Sequence, residues 1–179
     1  MRLSIARLAA VTLAAIVTCA GCQLSGDEPT GPACSGQTFD LKDRSAAPLG
    51  PPKELVSAFN DAVDQQLESV TMAEMVNRAG WSGDWDRAIY FGAGMTDADL
   101  KQMSGSNLEL ACFTGRPQYN DDNPDMASPY MSLFLFNGQP IQAELWTGQN
   151  PSLDFGSREF LTPDTVFRFD PNPGVMVAE

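Results

Sequence analysis

After residue 50, the hydrophobic and polar residues of this chain first follow a helical period. Over residues 55–70 the apolar positions recur every three or four residues, which predicts an amphipathic helix that begins just after Pro51. Thr71 and Glu74 have the spacing of a capping box, and they predict a second helix over residues 72–79.

The period changes to that of β-strands in the second part of the chain. Asn137-Gly138 adopts positive φ readily and lies between two β-rich runs, residues 131–136 and 141–146, so an antiparallel hairpin is predicted there. The remaining predictions are a strand over 85–91, a helix over 97–103 capped by Thr96 and closed by Gly105, a strand over 108–112, strand material at 160–161 and 166–169, and an irregular tail from Asp170.

These elements predict an α+β fold. N-terminal helices are followed by an antiparallel β-sheet of about four to five strands, with the helices packed on one face of the sheet. The α+β domain is predicted to span residues 51–170, with an irregular tail at 171–179. Residues 23–50 are predicted to be a flexible tether and N-terminal segment, because the stretch after Cys22 is rich in Gly, Pro, Ser, Thr and acids.

The first residues have the features of an export signal. Arg2 and Arg7 flank the entry to an almost uncharged segment, residues 8–18, which has the length of a secretory h-region. That segment is shorter than the roughly 20 residues that a transmembrane helix needs. Two small residues, Ala20-Gly21, then precede Cys22.

Ala20-Gly21-Cys22 resembles the lipobox of bacterial lipoproteins. The resemblance implies that residues 1–22 are a lipoprotein signal peptide, that Cys22 carries the lipid, and that the protein is held on the extracytoplasmic face of a cell membrane or envelope. Cys19 stands three positions before Cys22, where the lipobox usually has an aliphatic residue. The alternatives are ordinary secretion without a lipid and a buried N-terminal helix of a cytoplasmic protein.

Charge argues against nucleic acid as a partner. The chain has 11 basic and 23 acidic residues, and only two basic residues lie in 1–22, so the exported part has a formal net charge of −14. Such a body is repelled by phosphates and by anionic lipid headgroups. Attachment to the membrane is therefore expected through the N-terminal lipid alone.

The cysteines and the missing histidines limit the chemistry. Cys34 and Cys112 are the only cysteines after Cys22, and in an oxidising compartment an isolated pair predicts a disulfide more often than a redox or metal site. Because the chain contains no histidine, His-based zinc sites and Ser-His or Cys-His catalysis are excluded.

Two further segments contain groups that could contact a ligand. Asp121, Asp122 and Asp125 offer oxygen ligands in a polar loop, but their spacing is not that of an EF-hand, so they are weak metal candidates beside the interpretation as a solvated loop. Gly92-Ala93-Gly94 precedes a predicted helix and is interpreted as a tight turn, since Asp97 stands where a dinucleotide-binding loop has its third glycine. No cofactor is predicted.

Aromatic residues at the predicted hairpin are the remaining candidates for recognition. Trp146 shares a strand face with Gln142 and Glu144, and Tyr130 lies just before the first hairpin strand. An exposed recognition patch that contains Trp146 and Tyr130 is one interpretation. Packing of Trp146 beneath the Gly- and Pro-rich connection that follows is the other.

Residues 85–105 carry a second resemblance. Trp85-Asp86-Arg87, a short apolar strand, a Thr-capped helix and a closing glycine resemble a pattern found in a group of small bacterial α+β lipoproteins. The resemblance covers about residues 50–170 and implies a helix-turn-strand unit that leads into an antiparallel sheet, in a layout similar to beta-lactamase-inhibitor-like domains. It implies no activity, because none is established for most members.

Together these features predict a lipid-anchored extracytoplasmic envelope protein. The preferred hypothesis is a non-enzymatic binding or interaction module whose partner is an envelope protein or another envelope component. The alternative is a hydrolase that acts on envelope polymers through acidic residues, since 23 acidic side chains always permit some carboxylate pair.

Overall fold

The computed structural model describes residues 34–119, 128–147 and 152–179. The helices in these ranges are α1 (Glu54–Asp64), α2 (Met72–Arg78) and α3 (Asp97–Ser104), with a 3-10 turn at Leu110–Cys112. None of these described helices is long and apolar enough to cross a membrane.

The described strands are short except for one hairpin. In chain order they are β1 (Phe39–Asp40), β2 (Ser69–Thr71), β3 (Arg87–Phe91), β4 (Phe113–Thr114), β5 (Tyr130–Phe136), β6 (Gln139–Trp146), β7 (Leu153–Asp154), β8 (Phe160–Leu161), β9 (Val166–Asp170) and β10 (Val175–Ala178). A four-stranded central sheet has the order β6-β5-β3-β8, and a second sheet has the order β2-β9-β10-β7. β1 and β4 form a separate parallel pair.

The α+β class is confirmed, but the predicted order of elements and the single sheet are wrong. The helices lie between residues 54 and 104, with β2 and β3 among them, so they do not all precede the strands. The strands form two four-stranded sheets and a two-stranded one within the described residues. β7 pairs with β10 in parallel, so the second sheet is mixed rather than antiparallel.

The first predicted helix is too long. α1 ends at Asp64, and Gln66 then adopts a positive φ of 50°, which turns the chain out of the helix. Val70 consequently lies in β2, where it pairs with Phe167 of β9. Its apolar side chain fits the helical period and the buried strand equally well, which is why periodicity alone misplaced it.

The strand predicted over 108–112 and the irregular tail are also wrong. Asp97 Oδ1 accepts a hydrogen bond from the Leu110 N–H at 2.7 Å, and Cys112 N–H bonds to Glu109 O, so this segment forms the 3-10 turn. At the other end of the chain, β10 lies between β9 and β7. The tail therefore supplies an inner strand of the second sheet.

The local turn and cap predictions are confirmed. Asn137 and Gly138 have φ of 51° and 73° and connect β5 to β6, as a two-residue hairpin turn requires. Both capping boxes are present, at the N-termini of α2 and α3. In the first of them Thr71 N–H bonds to Glu74 Oε2 at 2.8 Å.

The central sheet is buried on both faces. Along β5, Phe134 belongs to a cluster that includes Phe59 of α1, Met75 of α2 and Phe167 of the second sheet. Leu133 and its neighbours on the other face belong to a second cluster, which includes Leu41, Leu100 of α3, Cys112 and Phe113. The prediction that the helices cover one face is therefore wrong, since α3 lies on the face opposite α1 and α2.

The predicted disulfide between Cys34 and Cys112 is present, with the two Cα atoms 4.8 Å apart. It joins the start of the described chain to the second core cluster. Ser35 donates to Glu109 Oε2 beside it through both its N–H and its hydroxyl. Beyond it, β1 pairs with β4, which begins directly after Cys112.

We predict that removal of this disulfide, as in Cys34→Ser with Cys112→Ala, lowers the free energy of unfolding by roughly 4–5 kcal/mol, because the bond closes a long loop in the unfolded chain. The sequence separation of the two cysteines is 78. Urea denaturation measures the change. Reduction of the disulfide should lower the free energy of unfolding of the parent protein and leave that of the double variant unchanged. A loss below about 1 kcal/mol would show that the β1–β4 pair alone holds the segment.

Candidate functional site

A cleft of about 520 Å³ lies where the central sheet and the second sheet end side by side. Tyr90 of β3 and Tyr130 of β5 line it from the central sheet, and they lie at the same end because the two strands are antiparallel. Leu153 of β7 and Val175 of β10 line it from the second sheet. We call this space the Tyr130 compartment; its other lining residues are Met103, Asp154, Phe155, Gly156, Arg158 and Pro173.

A second cavity of about 300 Å³ adjoins the first. The two share Tyr90 and Met103 as lining residues, so Tyr90 stands between them. We call this second cavity the Tyr119 compartment, and we call the two compartments together the tyrosine cleft. The rest of its lining is Ala93, Gly94, Met95, Asp99, Tyr119 and Ser128.

All three tyrosines of the chain line this cleft. Tyr90 is 40% exposed and Tyr119 63% exposed, and the only other exposed large apolar side chain among the described residues is Phe136, at the hairpin tip. Two of three exposed aromatic rings thus converge at one place. This convergence distinguishes the cleft from the scattered apolar exposure that any protein surface shows.

A stack of rings connects the cleft to the core. Trp146 is 1% exposed, and its Nε1–H donates to Ser132 Oγ at 2.8 Å. Tyr130 lies parallel to Trp146 with ring centroids 6.3 Å apart, and Tyr90 lies on Tyr130 at 4.9 Å. The Tyr130 hydroxyl donates to Leu153 O at 2.6 Å, which ties the stack to the second sheet. Tyr90 is therefore held in a fixed orientation.

The two glycines of Gly92-Ala93-Gly94 allow the tyrosines to lie close to the backbone. A Cβ on Gly92 would stand 2.6 Å from Cε1 of Tyr90, and a Cβ on Gly94 would collide with the Tyr119 hydroxyl. The segment is a turn, with Met95 N–H bonded to Gly92 O, as predicted. Its glycines are thus explained by the tyrosine rings of the cleft.

The hydroxyls of Tyr130 and Tyr90 stay protonated at neutral pH. Burial raises the pKa of Tyr130 above its ordinary value, and the charge of Asp154 adds to the effect. Burial also raises the pKa of Tyr90, with a further contribution from the neighbouring Tyr119. Tyr130 and Tyr90 therefore present neutral phenol rings and hydroxyls to the cleft.

The exposed patch proposed around Trp146 and Tyr130 is wrong. Trp146 is 1% exposed and Tyr130 9%, and both rings lie inside the stack. Trp146 packs against Phe59 of α1 at a centroid distance of 5.6 Å, so the helix covers the strand face that the sequence assigned to solvent. Tyr130 still lines the cleft, as the support beneath Tyr90.

Tyr90 and Tyr119 are not among the site residues that the sequence predicts. Tyr90 lies between Ile89 and Phe91 in a predicted strand, and alternation places it on the opposite face from those two buried residues, which was a usable signal. Tyr119 lies in a long polar stretch, and only its packing against Gly94 connects it to the cleft.

Two carboxylates and one guanidinium lie in the cleft. Asp99 Oδ2 accepts hydrogen bonds from the N–H and the hydroxyl of Thr96, and these bonds hold the pKa of Asp99 below its ordinary value. Asp154 lies in the other compartment, where its Oδ1 accepts from Gly156 N–H at 2.8 Å. Arg158 also lines the Tyr130 compartment. The two carboxylates thus lie in separate compartments.

The other predicted site residues lie elsewhere. Cys22, Asp121, Asp122 and Asp125 fall outside the described residues. Among the residues that are described, no group of three or more Cys, Asp or Glu side chains is arranged to hold a metal ion.

Glu144 is an unusual buried acid close to the stack. It is 1% exposed, its Oε2 accepts from Lys53 N–H at 3.2 Å, and its Oε1 has no hydrogen-bond partner in the described part of the chain. Lys53 adopts a positive φ of 72° at the start of α1. On the same strand, Gln142 accepts from Leu49 N–H and donates to Gly50 O. The two side chains thus fasten the segment that leads into α1 to the sheet.

Burial raises the pKa of Glu144, an effect that the Lys53 hydrogen bond and the charge of Arg44 only partly offset. A carboxyl whose folded pKa lies above its unfolded value of about 4.5 favours folding at low pH, and that contribution is lost as pH rises through the folded pKa. The buried charge therefore destabilises the protein at neutral pH.

We predict that Glu144→Gln raises the free energy of unfolding at pH 8 by on the order of 1 kcal/mol, because the amide oxygen can still accept from Lys53 and no charge is buried. Urea denaturation at pH 4 and pH 8 tests this. The gain should vanish at pH 4, and Glu68→Gln on the surface should show no comparable change. A destabilised Gln variant at pH 8 would contradict this account of Glu144.

No protein-family model matches this chain, and no curated protein or solved structure is significantly similar to it. The interpretation of the tyrosine cleft therefore rests on its own residues and their geometry.

Proposed function

We propose that this chain is a lipid-anchored, extracytoplasmic binding domain of the bacterial envelope, and that its partner binds in the tyrosine cleft. The observation that carries the proposal is the convergence of all three tyrosines on one cleft, two of them with exposed rings. The anchor part of the proposal rests on the resemblance of Ala20-Gly21-Cys22 to a lipobox.

Tyrosine suits a binding surface for physical reasons. Its ring provides a large contact area with only two side-chain torsions to immobilise, and its hydroxyl can form a hydrogen bond at the rim. The stack on Tyr130 fixes Tyr90 before any partner arrives, which lowers the entropic cost of binding. Met95 and Met103 add flexible apolar surface that can adapt to a partner.

The alternative function, a hydrolase that uses acidic residues, requires two carboxylates that converge on one bond. In the described cleft, Asp99 and Asp154 lie in different compartments on either side of Tyr90. Each is also held in its own compartment by a hydrogen bond from a backbone N–H. This arrangement favours the binding domain over the hydrolase.

The anchor is tested by labelling with a palmitate analogue in the bacterium that makes the protein. We predict that the label is incorporated into the intact protein and is lost in Cys22→Ser. Cys19→Ser is the control: it leaves Cys22 unchanged, and this variant should still incorporate the label. Label that persists in Cys22→Ser would contradict lipid attachment at this position.

The binding surface is tested by photocrosslinking in the intact envelope. We predict that a photoreactive amino acid in place of Tyr119 forms an adduct with a specific partner, because this side chain is exposed in the cleft. The same amino acid in place of the exposed Phe136, at the hairpin tip, is the matched control. Identical adducts from both positions, or none from position 119, would contradict the proposal.

A further inference from the structure

The two compartments of the tyrosine cleft differ in their charged groups. Among the described residues, the lining of the Tyr119 compartment carries one carboxylate, that of Asp99, and no basic side chain. The lining of the Tyr130 compartment contains both Asp154 and Arg158. The described lining of the Tyr119 compartment therefore has a net negative charge, whereas the two charges in the Tyr130 compartment cancel.

Asp99 lines the Tyr119 compartment, and its hydrogen bonds to Thr96 lower its pKa, so it is charged at neutral pH. Both of its hydrogen bonds within the described chain use Oδ2, which receives the N–H of Thr96 at 3.1 Å and the hydroxyl of Thr96 at 2.7 Å. No hydrogen bond to Oδ1 is formed among the described residues, so this oxygen can accept one from a ligand. The capping bonds also fix the carboxylate at the rim of the cavity, so a ligand that binds it has little side-chain freedom to remove.

The aromatic walls have the same electrostatic preference. A phenol ring attracts a cation to its face, and the attraction increases when the cation is partly desolvated. Tyr90 and Tyr119 line the compartment together, so both rings are available to a cation that enters it. The thioethers of Met95 and Met103 add polarisable surface between the rings.

We propose that the Tyr119 compartment binds a basic side chain, arginine or lysine, of a partner polypeptide. This inference rests on the proposed function of the cleft and names its partner chemistry. Charge complementarity supports a polypeptide with basic residues, because the body after residue 22 has a formal net charge of −14.

Arg158 limits how the segment of the partner that carries the basic residue can lie in the cleft. The basic side chain enters the Tyr119 compartment, and an uncharged apolar residue of the same segment enters the Tyr130 compartment, against Phe155 and away from the repulsion of Arg158. Arg116 lines a separate cavity of about 100 Å³ that shares Ala93 and Met95 with the Tyr119 compartment, so it repels a basic group on that side. The basic group is therefore expected between Asp99 and the tyrosine rings, away from Arg116.

The test uses the full chain in detergent and fluorescein-labelled hexapeptides made of Gly and Leu with one central Arg, citrulline or Glu. Citrulline has the shape of arginine without its charge. We expect the Arg peptide to bind roughly 3- to 30-fold more tightly than the citrulline peptide, from the combined cation–π and ion-pair contributions. The Glu peptide should bind most weakly, and the preference for Arg should fall as salt is added.

Matched variants identify the groups responsible. Asp99→Asn keeps an oxygen that can cap α3 and should remove most of the preference for Arg over citrulline. Tyr119→Phe should keep that preference and Tyr119→Leu should reduce it, whereas Phe136→Leu should have no effect. Gly94→Leu should weaken the binding of all peptides, because its side chain displaces the Tyr119 ring from its position in the compartment. Gly36→Leu is its control, since nothing lies within 4 Å of that position.

Each other result contradicts the inference in a distinct way. Equal binding of the Arg and citrulline peptides that Gly94→Leu still weakens overturns the basic-side-chain assignment and leaves the proposed binding function intact. No binding of the Arg peptide at millimolar concentration overturns the assignment too, and crosslinking at position 119 then decides the proposed function separately. Tighter binding to choline or to phosphatidylcholine vesicles than to the Arg peptide would assign the compartment to a lipid headgroup instead.

Discussion

Burial of β5 on both faces is the constraint on which the rest of this domain depends. The strand pairs with β3 on one side and β6 on the other, so its backbone hydrogen bonds are made within the sheet. Phe134 packs into one core cluster and Leu133 and Leu135 into the other. Each face needs a cover, and α1, α2 and the second sheet supply one while α3 and the disulfide-linked segment supply the other. The cleft begins at the first residue of this same strand, Tyr130.

The stack of aromatic rings connects the core to the cleft by direct packing contacts. Trp146 is fixed by Phe59 and Ser132, Tyr130 packs on Trp146, and Tyr90 packs on Tyr130. The hydroxyl of Tyr130 donates a hydrogen bond to Leu153 O in β7, so the distance between the two sheets also sets the position of the ring. A partner that contacts Tyr90 therefore contacts a group whose orientation the whole core determines, and little order has to be created when it binds.

The sequence predicted what depends on neighbouring residues and missed what depends on distant ones. The capping boxes and the Asn137-Gly138 turn involve positions at most a few residues apart, and all are present. The disulfide was predictable because only one cysteine pair was left after Cys22. Val70 was misplaced, and the sequence left open whether Trp146 is buried or exposed, because an apolar side chain does not reveal whether a helix, a second sheet or solvent faces it. The cleft escaped prediction because Tyr90 and Tyr119 are brought together only by the tertiary fold.

NMR of the full chain with ring-labelled tyrosine tests the central claim, that the partner binds at the tyrosine cleft, most directly. Three tyrosines give three sets of ring signals, and Tyr→Phe variants assign them. During titration with the Arg hexapeptide, the account predicts saturable shifts of the Tyr90 and Tyr119 signals, and smaller shifts of Tyr130, whose ring is only 9% exposed. Saturable binding of the peptide that leaves all three sets of signals unchanged would place the binding surface elsewhere and contradict the account.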